Sequence, residues 1–213
     1  MNTKDNRFAS LPREPHAGVK FKSVLITGAP GSGKGTQGKL LGQLPGFFHC
    51  ACGDVFRSLD PESESSRIFK ERCTRGEFVP DELTVNIWQH AIGSHINAGR
   101  FDPNNSKLIL DGIPRNVRQC ELLNEFLDVK AVIHLQGLSE ECLIQRILQR
   151  SKKENRLDDG NAETARQRLA IFQNETKCIL KFYPAHLNHS VSADGSPQCV
   201  SNEILLALAG VFD

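Results

Sequence analysis

One stretch constrains this chain more than any other. The apolar run Lys22 to Gly28 (KSVLITG) leads without interruption into GAPGSGKGTQ, Gly28 to Gln37, and then into the helix-like pattern KLLGQL. Strand, glycine-rich turn, lysine and helix in that order describe a phosphate cradle. Glycines at 28, 31, 33 and 35 let successive backbone N–H groups approach an anion without side-chain obstruction, and the helix that follows adds its positive end. Lys34 reaches the β and γ phosphates as a mobile point charge. Gly31, Ser32, Gly33, Lys34, Gly35 and Thr36 are therefore the candidate contacts to the phosphates of a donor nucleotide such as ATP. A plain glycine-rich turn is the competing interpretation, and the complete order of the four features weighs against it. One position is unusual: Gly35 stands where the general G-x-x-x-x-G-K-[ST] pattern places the hydroxyl that holds Mg²⁺, and Thr36 follows it.

A chain of 213 residues suits one domain with room for a small insertion. With 39% hydrophobic and 24% charged residues it can bury a core, and 26 basic against 25 acidic side chains leave no global field to attract a nucleic acid. Apolar runs of about 18 residues are missing, so no membrane partner is expected. The seven cysteines are odd in number and scattered, which fits reduced thiols and a cytoplasmic location. Cys50 and Cys52 form a C-x-C pair without further ligands near it, and read as packing residues. Residues 1–20 mix charges with Pro12, Pro15 and Gly18 and read as a flexible leader without the apolar segment of a signal peptide, ahead of a domain spanning 21–213.

Beyond the leader, short apolar runs alternate with helical patterns, the mark of an α/β class with a parallel sheet covered by helices. Lys22 to Gly28, Lys107 to Asp111 and Lys130 to Leu135 read as buried strands, with Phe47 to His49 as a fourth. Helices are expected over Asp81 to Gly99, with Leu83, Ile87, Ala91 and His95 at intervals of four, and over Ser139 to Arg150, where Ser139 caps. Ala162 to Phe182 and Gln198 to Ala209 read as the last two.

Further charges fall at positions where they can act on phosphates. Asp111 closes a buried strand at its carboxyl end, where ligands bind in open α/β sheets, and can serve Mg²⁺ through water. Arg115, four residues on, can hold a phosphate. Asp54 and Arg57 admit a simpler interpretation, a helix cap and an exposed base. His49, His90, His95 and His134 have no spaced partners and read as packing or surface residues.

The form GAPGSGKGT, together with these later motifs, resembles the adenylate kinase family of nucleoside monophosphate kinases. The resemblance runs over about residues 21 to 210 through five ordered motifs. It implies a P-loop NTPase fold: a five-stranded parallel sheet flanked by helices, an acceptor-binding helical insertion at about 54–85 and a short lid at about 151–160. Cys52-Gly53-Asp54-Val55-Phe56-Arg57 resembles T-G-D-x-x-R with Cys52 in place of threonine, which puts Cys52 and Arg57 at the AMP site. Gly76 to Asp81 resembles the loop around the acceptor base, with Glu77, Phe78 and Val79 as contacts. Asp111-Gly112-Ile113-Pro114-Arg115 is similar to D-G-F-P-R, which assigns Gly112 and Arg115 to AMP. Gln119 matches the glutamine that reads adenine. Arg146, Arg150, Arg156 and Arg168 match the family's R-x-x-x-R, R-x-D-D and R-L elements, Arg156 and Arg168 reaching AMP as well, while Asp158 and Asp159 orient arginines on lid closure. Gly195 matches a glycine whose backbone meets the donor adenine. Lys34, Arg115, Arg150, Arg156 and Arg168 are then the catalytic set.

The resemblance implies Mg²⁺ as cofactor, ATP and AMP as substrates with ADP in reverse, and a monomer. Physical chemistry fits the implied reaction. Two phosphate chains repel, and guanidinium groups with Mg²⁺ offset that repulsion. The attacking phosphate oxygen is already anionic, since its second pKa is about 6, so a general base is unnecessary. Three alternatives stay open. A UMP/CMP kinase fits Arg115-Asn116 and Ala51-Cys52; a silent nucleotide-binding sensor and a plain ATPase leave the second phosphate site without a purpose.

Overall fold

The computed structural model describes residues 20–75, 77–154, 161–174 and 176–212. The expected leader up to residue 19, Gly76, and the lid residues Arg156, Asp158 and Asp159 lie outside the described residues. Five parallel strands form one sheet: β1 (Phe21–Gly28), β2 (Phe47–Ala51), β3 (Lys107–Asp111), β4 (Leu127–Gln136) and β5 (Asn188–Ser192), in the order β2-β3-β1-β4-β5. The chain leaves central β1 to one side first and fills the other side later, so the carboxyl ends of β1 and β3 flank the crevice where open α/β sheets bind ligands.

Alternation along the strands builds two cores. Leu25, Leu108, Leu110 and Val132 face one layer, whereas Val24, Ile26, Ile109, Ala131 and Ile133 face the other. The first layer is closed by α2 (Cys52–Arg57), α3 (Glu64–Thr74) and α4 (Asp81–Asn97), whose Phe56, Leu83, Trp88 and Ile92 are buried. The second is closed by α1 (Lys34–Leu41) and α9 (Pro197–Leu208), the latter through Val200, Ile204 and Leu208 on a single stripe. The remaining helices are α5 (Val117–Leu123) and α8 (Ile179–Phe182), which add Leu123 and Leu180 to the first layer, with α6 (Glu140–Glu154) and α7 (Ala162–Asn174). Among the described residues, no helix is long and apolar enough to cross a membrane.

The caps follow the sequence closely. Ser139 Oγ accepts from the Cys142 N–H at 3.2 Å at the start of α6, and Ser196 Oγ accepts from the Cys199 N–H at 3.3 Å with Pro197 opening α9. Gly99 takes φ 65 just past α4 and ends it at Asn97, two residues short of the expected limit. On that helix Ala91 and His95 are only half-buried, and Trp88 with Ile92 takes the deep positions. The expected helix over Ala162 to Phe182 needs correction. α7 stops at Asn174, a 3₁₀ turn covers Thr176–Cys178, and α8 follows as a separate short element. The stretch expected to hold the helical insertion, 54–85, takes in the last four residues of α2, all of α3 and the first residues of α4.

Candidate active site

The cradle forms as a direct consequence of its glycines. Gly31 has φ 84 and Gly33, the residue preceding α1, has φ 99, a region that side chains with a Cβ disfavour. The turn therefore aims the first N–H groups of α1 outward, where the helix itself offers them no carbonyl. Lys34 Nζ folds over this turn and donates to Gly28 O at 2.9 Å and Ala29 O at 3.0 Å.

Asp111 meets the cradle from the neighbouring strand. Parallel register places it beside Ile26 of β1 and Ala51 of β2, at the carboxyl edge of the sheet. A Cβ on Gly35 would lie 3.3 Å from Asp111 Oδ2, so glycine where other cradles carry Ser or Thr leaves room for this carboxylate to approach the helix. His49 of β2 lies behind it, Nε2 4.0 Å from Asp111 Oδ2, with burial holding the imidazole below its usual pKa. No spacing pattern signals that proximity, because His49 and Asp111 lie on different strands far apart in the chain.

A cavity of about 540 Å³ opens above these groups. Gly31, Ser32, Gly33, Lys34, Gly35 and Thr36 line it, with Asp111, Gly112 and Arg115, then Arg57, Glu77 and Phe78 on one side and Arg146, Arg150, Arg168 and Gly195 on the other. Burial pushes Lys34 down from 10.5 to about 8; Asp111 opposes the shift, while Arg150, Arg115 and Arg168 add to it. Cations from the β3 turn, α6 and α7 thus converge on the same space as the cradle lysine. A cavity on which Lys34, Arg115, Arg150 and Arg168 converge suits a polyanion.

Individual placements refine the sequence-based expectations. Arg115 Nε donates to Gly112 O at 2.8 Å, and its guanidinium lies over the Phe78 ring, 5.2 Å from the centroid. Arg57 pairs with Asp54 at 2.6 Å, and Glu77 with Arg72 at 2.8 Å. Arg146 Nη1 donates weakly to Ala193 O at 3.4 Å, next to the Gly195 loop. Gln149 and Lys153 on α6 also line the cavity and were missed; both fall within a turn of Arg146 or Arg150. Gln37, also missed, donates through Nε2 to Pro197 O at 3.0 Å and ties α1 to the start of α9.

Three expected acceptor contacts do not face the cavity. Cys52 is 1% exposed and Val79 8% exposed, and both belong to the core. Burial pushes the Cys52 thiol up to about 11 and the Cys50 thiol up to about 12, so both are neutral packing groups near neutral pH. Gln119 is 1% exposed, with its amide bonded inside the protein.

The lowered Lys34 pKa carries a prediction with a definite sign. Phosphate binding needs the ammonium, so in the free enzyme kcat/KM for a nucleoside triphosphate should fall about tenfold per pH unit above pH 8. Bound phosphates favour the charged form, so kcat should hold to higher pH. Lys34→Arg should remove the limb, because a guanidinium does not titrate there. A wild-type kcat/KM that stays flat to about pH 9.5 contradicts this assignment.

The family model for adenylate kinase matches residues 26–188. The adenylate kinase of Parabacteroides distasonis is 36% identical over 173 residues, covering 78% of this chain and 86% of that protein. That of Porphyromonas gingivalis is 34% identical over 198 residues, covering 90% of this chain and 95% of its own, and that of Corynebacterium urealyticum 32% over 191 residues, covering 87% and 98%.

Proposed function

The chain belongs to the adenylate kinase family, and on that footing we propose that it transfers the terminal phosphoryl group of Mg·ATP to AMP, giving two molecules of ADP reversibly. The observation that carries this reading is the convergence of Lys34, Arg115, Arg150 and Arg168 with Asp111 around one cavity. A binder of one nucleotide has little use for cations on both sides of its phosphate cradle.

In the proposed reaction the N–H groups of Gly31 to Thr36 and the Lys34 ammonium hold the donor's β and γ phosphates, while Arg146 and the Gly195 loop hold its base. On the acceptor side Arg57 and Arg115 hold the monophosphate, and Phe78 fixes the Arg115 guanidinium from below. Arg150 and Arg168, with Arg156, meet the charge that spreads over the transferring group. The attacking oxygen is anionic near neutral pH, so the protein positions and neutralises and has no proton to remove. Asp111, an oxygen donor at 13% side-chain exposure facing the cradle, has the hard-ligand chemistry that suits Mg²⁺ held through water. Bound there, Mg²⁺ would offset phosphate charge. The stretch at about 151–160 would close over the site and exclude water, the competing acceptor. Free thiols at all seven cysteines suit the reducing cytoplasm.

A pyrimidine monophosphate acceptor is the second reading, and one observation favours it: the amide of Gln119, the expected adenine reader, is already engaged inside the protein. Steady-state ADP formation from Mg·ATP with AMP, CMP, UMP, GMP and dTMP offered separately separates the two. Preference for AMP is the expected result. Preference for UMP or CMP would move the acceptor while keeping the fold, and no transfer to any of them despite tight ATP binding would make the chain a sensor.

A further inference from the structure

Gln37 stands in the first turn of α1 and belongs to two walls of the cavity at once. Its backbone N–H donates to Gly33 O at 3.0 Å, which closes the helix onto the phosphate cradle. Its side chain lines the cavity and reaches a part of the chain 160 residues away, where Nε2 donates to Pro197 O at 3.0 Å. A carbonyl only accepts, so the amide nitrogen has to face Pro197 and the oxygen has to face elsewhere. The residue is 3% exposed, and its buried Oε1 has no hydrogen-bond partner among the described residues. A side chain needed for packing alone would not bring an unpaired oxygen into the interior, which is costly. What the carboxamide supplies in return is the bond to Pro197 O.

That bond holds the exposed end of a loop. At the near end, the Ala193 N–H donates to Gln136 O of β4 at 2.8 Å, and Ala193 O accepts from Arg146. Gly195 and Ser196 are exposed, and so are Pro197, Gln198 and Cys199 in the first turn of α9, whose buried stripe begins only at Val200. Gly195 and Pro197 line the same cavity as the cradle.

We propose that Gln37 is a positioning residue for the donor: by tying Pro197 to the cradle helix, its carboxamide fixes the Gly195 loop at the spacing at which one nucleoside triphosphate meets loop and cradle together. It acts through Pro197 O and takes no part in the chemistry. A ligand held at two places on one rigid frame gains affinity that is lost when the frame loosens. Phosphates alone meet only the cradle, so their binding is independent of the tie. The proposal rests on the donor reading above, in which the cradle takes the phosphates and the Gly195 loop borders the nucleoside.

The test measures dissociation constants for ATP and for methyl triphosphate by calorimetry, at one fixed Mg²⁺ concentration, in wild type, Gln37→Met and Gln37→Asn, with the Tm of each. Methyl triphosphate carries the donor's phosphate chain and charge without its nucleoside. Gln37→Met keeps the length of the side chain but cannot donate, and Gln37→Asn keeps the amide but ends one carbon short of Pro197 O. Wild type should hold ATP at least about tenfold more tightly than methyl triphosphate. In Gln37→Met that preference should shrink at least about threefold, through weaker binding of ATP. A side chain that merely packs α1 against α9 would move both ligands together, through the cradle, and leave the preference alone. A smaller change in the preference overturns the proposal. Should Gln37→Met fail to fold, Gln37→Asn decides by the same criterion. Wild type that binds the two ligands equally overturns the donor reading and this proposal with it, and the wild-type data alone reveal that case.

Discussion

Arg115→Ala should lower kcat/KM for the acceptor by at least about 100-fold while the Tm stays near that of wild type, a loss of roughly 2.7 kcal/mol of transition-state stabilisation. The guanidinium lines the cavity, lies over the Phe78 ring and is held by Gly112 O at 2.8 Å, so its position is fixed before any phosphate arrives. Preorganisation of this kind is what makes a cation worth several kcal/mol to a developing charge. Removing it leaves the sheet and both cores untouched, because its partners are a carbonyl at the cavity edge and a half-buried ring. Lys34→Ala should cost at least as much, appearing in the donor's kinetic constants. Activity within threefold of wild type in either variant would remove that residue from the mechanism.

Gly31→Ala is the second large effect, and it arises from backbone. Gly31 holds φ 84, which costs an L-residue roughly 1–2 kcal/mol. Its added Cβ would also lie 2.7 Å from Leu143 O and 3.2 Å from Ile147 Cγ1. Leu143 O belongs to the backbone of α6 and cannot swing away, so the cradle has to shift off the helix that carries Arg146 and Arg150. Donor binding should fall at least about tenfold, and the Tm should drop as well. Gly33→Ala is the control. At φ 99 it carries the same conformational cost, but nothing lies within 4 Å of its added Cβ, so the fall should be clearly smaller. Equal losses in the two variants would show that the close approach to α6 is unimportant.

Sequence alone reveals the parts of this molecule where local chemistry is decisive. The strand Lys107–Asp111 has the limits its apolar run suggests, and the cradle lies where its glycines and lysine require. β5 is less legible, because NHSVS buries only Val191 and resembles a loop at the sheet's edge. Nor could periodicity detect the break after Asn174: Leu169, Phe172, Thr176 and Ile179 continue a helical spacing straight through the 3₁₀ turn, with no glycine or proline before Pro184. Most of the candidate site is legible for the same reason as the cradle, since Asp111, Arg115, Arg146 and Arg150 sit at strand ends or one turn apart. Gln119 shows where that legibility ends. Its position on α5 follows from the sequence, but its partner Asp81 lies 38 residues away and belongs to another helix, a pairing that no spacing rule encodes.

The central claim is that this cavity moves a phosphoryl group between nucleotides and keeps it from water. A phosphorus NMR time course of the wild-type protein with Mg·ATP and AMP tests it most directly. Two ADP should appear for every ATP consumed, with no inorganic phosphate, until the three nucleotides reach equilibrium. Growth of inorganic phosphate with AMP unchanged would contradict the account and leave an ATPase in its place.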